Sequence, residues 1–226
     1  MPMLGQMFSS DQLIQKLLLL PALLFSLVIH EYAHARTALA FGDRTALYQG
    51  RLTLNPLAHL DPIGTLCILF ASFGWARPVP VNPLNLYPRK LGDIAVSLAG
   101  PMSNLGVAVA TALAIWLWAR FAPRFVDART VSIVTVYGIV LASINVMLFA
   151  FNLIPLFPLD GHHIVRELLP IDSQQGFMRW QLSFGRIGLL AMIFVPRFVP
   201  TMPDFIGIVF QLVSGVFWSV MPPIAG

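Results

Sequence analysis

Residues His30, Glu31 and His34 form the sequence His-Glu-Tyr-Ala-His, which continues a long apolar run. On a helix, residues four apart share one face, so both imidazoles could bind the same zinc ion. Glu31 could then reach a water molecule on that ion and act as a general base. In a chain with 5 histidines, chance would produce this pattern only about 0.001 times. The spacing therefore favours a zinc site over two buried histidines that only bond neighbouring helices, with Glu31 paired to Arg36.

A catalytic zinc site usually takes three protein ligands and a water molecule, so a third ligand is needed. The candidates are His59, Asp61, Asp160, His162, His163 and Glu167. The apolar run at 65–73 is too short to cross a bilayer as a helix. If it does not cross, segment 93–118 crosses back and 131–151 crosses again, which brings Asp160 to the side of the histidines. This crossing argument predicts Asp160 as the third ligand.

The composition indicates that lipid surrounds these residues. The chain is 57% apolar and only 11% charged, with a mean hydropathy of +0.77, whereas a soluble domain is about 45–50% apolar and about 25% charged. These values exclude a cytosolic enzyme, a disordered linker and a secreted disulfide scaffold. The basic residues are scattered along the sequence, which favours membrane-orientation charges over a nucleic-acid-binding surface.

The elements that must position the site follow from the apolar runs. We expect an all-α polytopic membrane protein with about five transmembrane helices and a re-entrant or extended segment between the first two full spans. The predicted elements are a helix over 11–41, spans over 93–118 and 131–151, and weaker segments over 184–199 and 204–220. Residues 1–226 form one domain in this interpretation, with a core at 11–165 and C-terminal membrane segments within 182–220.

Three motifs resemble the site-2 protease family of intramembrane zinc metalloproteases. They are HEYAH on the first helix, LAGPMSNL on the next full span and NLIPLFPLDG after the third. The stretches GRLTLNPLAHLDPIGT and GWARPVPVNP resemble the short bacterial branch of that family. The resemblance covers about residues 20–165.

The resemblance implies zinc ligands at His30, His34 and Asp160, and a catalytic glutamate at Glu31. It also implies that Asn152 holds the substrate or the developing oxyanion. The substrates would be transmembrane segments of membrane proteins, which must unwind locally before cleavage because helical carbonyls are already hydrogen-bonded. Two alternatives use the same residues: a metal or proton transporter, and a catalytically silent homologue that binds membrane helices.

Other polar residues have plainer expected roles. We expect His59 and Asp61 to make structural hydrogen bonds, Asn104 to bond a neighbouring helix, and Asp93 to cap a helix. His162 and His163 are expected at the membrane interface. With the site facing the cytoplasm, nine Lys and Arg lie on the inner side and five on the outer side. This bias favours a bacterial inner-membrane protein with its active site near the cytoplasmic face.

Overall fold

The chain forms helices that place the His-Glu-Tyr-Ala-His sequence deep inside an apolar bundle. The structure is a computed structural model, which describes residues 10–71, 74–199 and 201–223. These residues contain no β-strand. The extended backbone pairing among them is a single antiparallel bridge between Leu60 and Ala76. Ser72 and Phe73, at the end of the predicted short apolar run, lie outside the described residues.

The first helix, α1, runs over Ser10–Ala40 and carries the motif in its C-terminal half. Gly42 follows the end of this helix and has a φ of 101°, which glycine adopts at little steric cost. The N–H of Asp43 donates to the carbonyl of Ala38 at 2.9 Å, which is the bond that closes a Schellman cap. The predicted end of the first helix at residue 41 agrees with the structure to within one residue, and this cap fixes where Asp43 leaves the helix.

Between the first two long helices lie short helices and an extended segment. Helices α2 (Thr45–Tyr48), α3 (Pro56–His59) and α4 (Pro62–Ala71) are followed by a 3₁₀ turn at Pro83–Asn85. We call residues 74–82 the covering segment, because it lies over Glu31. At 10 residues, α4 is too short to span a bilayer of about 30 Å.

The next two helices form the centre of the bundle. Helix α5 runs over Arg89–Phe121 and α6 over Ala128–Asn152, and α5 packs against both α1 and α6. The side chain of Asp127 caps α6 by accepting a hydrogen bond from the N–H of Thr130 at 3.0 Å. Gly138 of α6 lies directly on Ile115 of α5, so the two backbones approach closely.

The remaining helices complete the site and the bundle. Helix α7 runs over Asp160–Leu168 and packs against α5. Helix α8 (Ile171–Trp180) continues through a π-helical turn at Gln181–Gly185 into α9 (Arg186–Phe198), and α10 follows at Phe205–Val220. Helix α10 joins α5 and α6 through a buried cluster of Ala108, Ala112, Val146 and Phe217.

Within the part of the chain that the structure describes, three helices are long and apolar enough to cross a membrane: Leu17–Ala40, Arg89–Arg124 and Ala128–Asn152. They match the three spans predicted with most support from the sequence. Helix α10 is apolar but has only 16 residues. The all-helical class is therefore confirmed, while the count of five spans is not established by these helices.

The contact between α5 and α6 gives a prediction for stability. A methyl group at Gly138 would overlap Ile115 Cγ2, so we expect Gly138→Ala to destabilise the protein by about 1–3 kcal/mol. Thermal unfolding of the purified protein in detergent measures this loss. In an Ile115→Ala background the added methyl finds room and should cost almost nothing. An equal loss in both backgrounds would contradict this account of the contact.

Candidate active site

Three side chains from two distant parts of the chain form a group that could hold a metal ion: His30, His34 and Asp160. The Nε2 atoms of His30 and His34 lie 3.0 Å apart. The carboxylate of Asp160 lies 3.2 Å from the first and 3.3 Å from the second. Both histidines are buried, and Asp160 is partly buried.

The group has the size and chemistry that zinc requires. Zinc bonds of about 2.0–2.1 Å in a tetrahedron place neighbouring ligand atoms about 3.3 Å apart. The three distances between the side chains, from 3.0 to 3.3 Å, are close to that value. Two imidazole nitrogens and one carboxylate are also a common ligand set for zinc. The residues present therefore fit a zinc ion.

A glycine on the neighbouring helix leaves room for this group. Gly100 of α5 lies so close that a Cβ there would overlap His34 Nε2 and approach His30 Nε2 to 2.6 Å. The small residues of the LAGPMSNL motif therefore allow α5 to pass directly beside the two imidazoles. Any side chain at this position would occupy space beside the nitrogens that face Asp160.

Each histidine is oriented through its second ring nitrogen. Nδ1 of His34 donates to the carbonyl of Val96 at 2.7 Å, and Nδ1 of His30 donates to Oδ1 of Asn104 at 2.6 Å. Both partners belong to α5. In each ring Nε2 is thus the nitrogen that faces Asp160. Such bonds from the far nitrogen fix the ring and its tautomer in metal-binding histidines.

Asp160 is placed by the start of α7 and by tight packing around Gly161. A Cβ on Gly161 would overlap the Leu153 carbonyl and approach that of Ile154 to 2.6 Å. At the other end of α7, Arg166 forms an ion pair with Asp93 of α5. The carboxylate of Asp160 lies 3.2 Å from His30 Nε2 and 3.3 Å from His34 Nε2, and a carboxyl group must be ionised to bind a metal.

The proline-rich segment before Asp160 is held by a residue that sequence reasoning missed. Gln181 is fully buried at the π-helical turn. Its Oε1 accepts from the N–H of Phe157 at 2.9 Å, and its Nε2 donates to the carbonyl of Pro155 at 2.7 Å. One side chain thus satisfies two backbone groups of a stretch that proline keeps out of a helix. Charged residues stand nearby at Arg179 and Arg186, so the sequence carries no signal that this glutamine is buried.

The carboxylate of Glu31 touches the covering segment. Its Oε2 accepts a hydrogen bond from the backbone N–H of Val79 at 2.8 Å. Prolines stand on both sides of Val79 and carry no N–H, so within 78–80 this is the single backbone donor. Glu31 is buried beneath it. The contact orients one carboxylate oxygen and leaves Oε1 for other partners.

The covering segment is anchored on both sides of Val79. On one side, Arg51 donates to the carbonyl of Arg77 at 2.6 Å, and the N–H of Arg77 donates to that of His59 at 2.8 Å. On the other side, the buried carboxylate of Asp43 accepts from the N–H of Asn82 at 2.7 Å. These bonds fix the register of the segment over Glu31.

The other sequence candidates take structural positions. His59 donates to the Thr53 carbonyl and Asp61 caps the N–H of Gly64, as expected. The expectation that Asp93 caps a helix is wrong, because it lies inside α5 and pairs with Arg166. The interfacial assignment is also wrong for His162, which is buried with 1% exposure.

Asn152 is the last residue of α6, where its side chain donates to the Leu148 carbonyl at 3.0 Å. The family resemblance implies that it holds the substrate or the developing oxyanion. In the structure its amide bonds its own helix, eight residues before Asp160. This bond uses one of the two N–H groups on Nδ2, and the second can donate to another partner.

Long apolar helices that enclose a His-His-Asp group next to a glutamate define an integral membrane metallohydrolase. Peptidase family M50 matches residues 18–195. The chain belongs to this family, the site-2 protease family, and is a zinc metalloprotease. The resemblance drawn from the sequence motifs is confirmed.

Curated relatives agree with this assignment. "Putative zinc metalloprotease YwhC" of Bacillus subtilis is 41% identical over 182 residues, which cover 79% of this chain and 82% of that protein. "Putative zinc metalloprotease Rip2" of Mycobacterium tuberculosis is 29% identical over 217 residues, covering 87% and 79%. No solved structure matches the chain.

The close approach of Gly100 predicts a specific loss of metal. We expect Gly100→Ala to reduce bound zinc strongly, because the new methyl overlaps His34 Nε2. Zinc content of the purified protein, measured by elemental analysis, tests this. Gly106→Ala is the matched control on the same helix, since a Cβ there meets nothing within 4 Å. Equal zinc content in the two variants would contradict the prediction.

The bond from Val79 to Glu31 predicts an effect on activity without loss of metal. Val79→Pro deletes the N–H and also replaces a side chain that packs with Ala35 and Ala46, a loss that Val79→Ala shares. A hydrogen bond to a charged group contributes about 1.5–3 kcal/mol. We expect cleavage of a model membrane substrate to fall about tenfold or more, with zinc content unchanged. Val79→Ala keeps the N–H and should retain activity. A Val79→Pro enzyme as active as Val79→Ala would show that the bond is dispensable.

Proposed function

We propose that the chain hydrolyses peptide bonds in or near transmembrane segments of membrane proteins. In this proposal His30, His34 and Asp160 are the zinc ligands and Glu31 is the general base. The main support for this proposal is the His-His-Asp group, which lies between apolar helices beside a buried glutamate. Membership of a zinc metalloprotease family favours hydrolysis over transport through the same residues.

In this proposal Glu31 carries out the proton transfers. A zinc ion held by the three ligands would act as a Lewis acid, which polarises the scissile carbonyl and acidifies water. Glu31 takes the proton of the attacking water and later delivers it to the leaving amine. The N–H of Val79 keeps the carboxylate in one orientation during both transfers.

Asn152 completes the proposed machinery as an oxyanion donor. An amide N–H directed at the position where charge develops would stabilise the transition state. Asn152 lies at the end of α6, next to the proline-broken segment, and its second N–H can donate to a substrate while the first stays on the Leu148 carbonyl.

The substrate must present an extended backbone. Helical carbonyls are bonded within the helix, so a spanning substrate has to unwind at the cleavage point. Sequences with Gly, Pro or Asn near that point unwind most readily. We therefore propose substrates that carry such residues within or beside their membrane segment.

The arrangement in the membrane is part of the proposal. Residues 1–226 would act as one domain with about five spans, including the C-terminal helices α9 and α10. The excess of Lys and Arg on the side of the site supports an inner-membrane protein with its active site near the cytoplasmic face. The 120–129 loop carries three arginines against that trend.

A reconstituted assay tests the assignment of roles. The protein is incorporated in liposomes with a single-span substrate, and cleavage and bound zinc are measured together. We expect Glu31→Gln to keep its zinc and lose about 10²–10⁴-fold in cleavage rate, since only proton transfer is removed. Unchanged cleavage in Glu31→Gln, or zinc flux without cleavage in the wild type, would overturn the proposal.

The ligand assignment has its own control within the same assay. Asp160→Ala should lose zinc, because it removes one of three ligands. His163→Ala alters a partly buried imidazole on the same helix and should keep zinc. The reverse pattern would exclude Asp160 as a ligand.

A further inference from the structure

A chain of polar side chains runs from His30 into the apolar interior of the bundle. Oδ1 of Asn104 accepts from Nδ1 of His30 at 2.6 Å, and Nδ2 of Asn104 donates to Oδ1 of Asn145 at 2.8 Å. Nδ2 of Asn145 in turn donates to Oγ of Ser26 at 2.8 Å. Ser26, Asn104 and Asn145 are completely buried, and they lie on three different helices.

The far end of this chain is fixed by backbone carbonyls, which can only accept hydrogen bonds. Nδ2 of Asn145 donates to the Leu141 carbonyl at 2.9 Å. Oγ of Ser26 donates to the Ala22 carbonyl at 2.7 Å, so it must accept from Asn145. Asn145 therefore has to point its NH₂ group toward these partners and its Oδ1 toward Asn104.

The direction set at Asn145 passes to His30 through one more amide. Oδ1 of Asn145 requires a donor, so Asn104 must present its Nδ2, which also donates to the Ser26 carbonyl at 3.2 Å. The group left to face His30 is the Oδ1 acceptor of Asn104. His30 must then carry its proton on Nδ1, and Nε2 keeps a free lone pair.

We propose that Asn104 and Asn145 are positioning residues that set the tautomer of His30 for metal binding. This inference rests on the proposed function, in which Nε2 of His30 is a zinc ligand. Asn145 does not contact His30 and acts on its tautomer through two successive hydrogen bonds. The sequence interpretation of Asn104 as a helix–helix contact describes only half of its role.

The second histidine provides an internal comparison. Nδ1 of His34 donates directly to the Val96 carbonyl, which fixes its tautomer without any side chain. Both imidazoles therefore carry the proton on Nδ1, but different groups hold it there. A change in the asparagine chain should affect only the His30 half of the metal group.

Zinc affinity of the full-length protein tests the proposal. The apoprotein in detergent is titrated with Zn²⁺ against a competing chelator, and cobalt(II) absorption reports the ligand arrangement. Asn145→Leu has similar volume but removes the nearer of the two acceptors that orient Nδ2 of Asn104 and leaves only the Ser26 carbonyl at 3.2 Å. We therefore expect a loss of zinc affinity of about 10–100-fold and an altered cobalt spectrum. Ser103→Ala, which loses only a bond to the Gly100 carbonyl on α5, is the control and should bind zinc like the wild type.

A conservative variant separates positioning from simple packing. The carboxyl group that Asn145→Asp introduces would be neutral in this apolar site, so its O–H can donate to the Leu141 carbonyl while its C=O accepts from Asn104. Asn145→Asp should therefore bind zinc more tightly than Asn145→Leu. Equal loss in both variants, in parallel with loss of apoprotein thermal stability, would overturn the proposal in favour of a packing role. Wild-type affinity in Asn145→Leu would overturn it as well.

His30→Ala distinguishes this inference from the proposal on which it rests. If His30→Ala binds zinc as well as the wild type, His30 is not a ligand and the proposed function fails. If His30→Ala loses zinc while Asn145→Leu does not, the ligand assignment stands and only the positioning role is refuted.

Discussion

The cost of burying polar groups in an apolar bundle governs this structure. Lipid offers no hydrogen bonds, so every polar side chain within a spanning helix needs a partner inside the protein. His30 and His34 meet this requirement through Asn104 and the Val96 carbonyl, and Glu31 through the N–H of Val79. The same bonds that make burial tolerable also orient these three side chains. Stability and preorganisation therefore come from one set of contacts.

Helix α5 has a central place because it contacts both imidazoles and the helix that begins at Asp160. It passes the imidazoles at Gly100, accepts from His34 at Val96, and pairs through Asp93 with Arg166 at the far end of α7. Two helices that are distant in sequence thus bring their groups together against a common third helix. This explains why the small residues of LAGPMSNL accompany the two motifs that supply the proposed ligands.

Much of this arrangement could be predicted from the sequence, for identifiable reasons. The helix spacing of His30 and His34 and the crossing argument for Asp160 depend only on helix geometry and bilayer thickness, and both groups meet in the structure. The roles of Val79 and Gln181 could not be predicted, because they depend on backbone groups in proline-rich segments whose path no periodicity reveals. Asn145 shows an intermediate case. A polar residue in an apolar span signals a buried partner, but the direction of its amide emerges only from its neighbours.

The Schellman cap at the end of α1 has a consequence for function in a fluid bilayer. Asp43, placed by that cap, holds the covering segment at Asn82, while Glu31 on α1 holds it at Val79. Glu31 lies in the C-terminal part of α1, and Asp43 follows directly after its end. Spanning helices tilt when the thickness of the surrounding bilayer changes. A tilt of α1 carries both anchors with it, so the bond between Glu31 and Val79 depends less on bilayer thickness than the contacts between α1 and the other long helices.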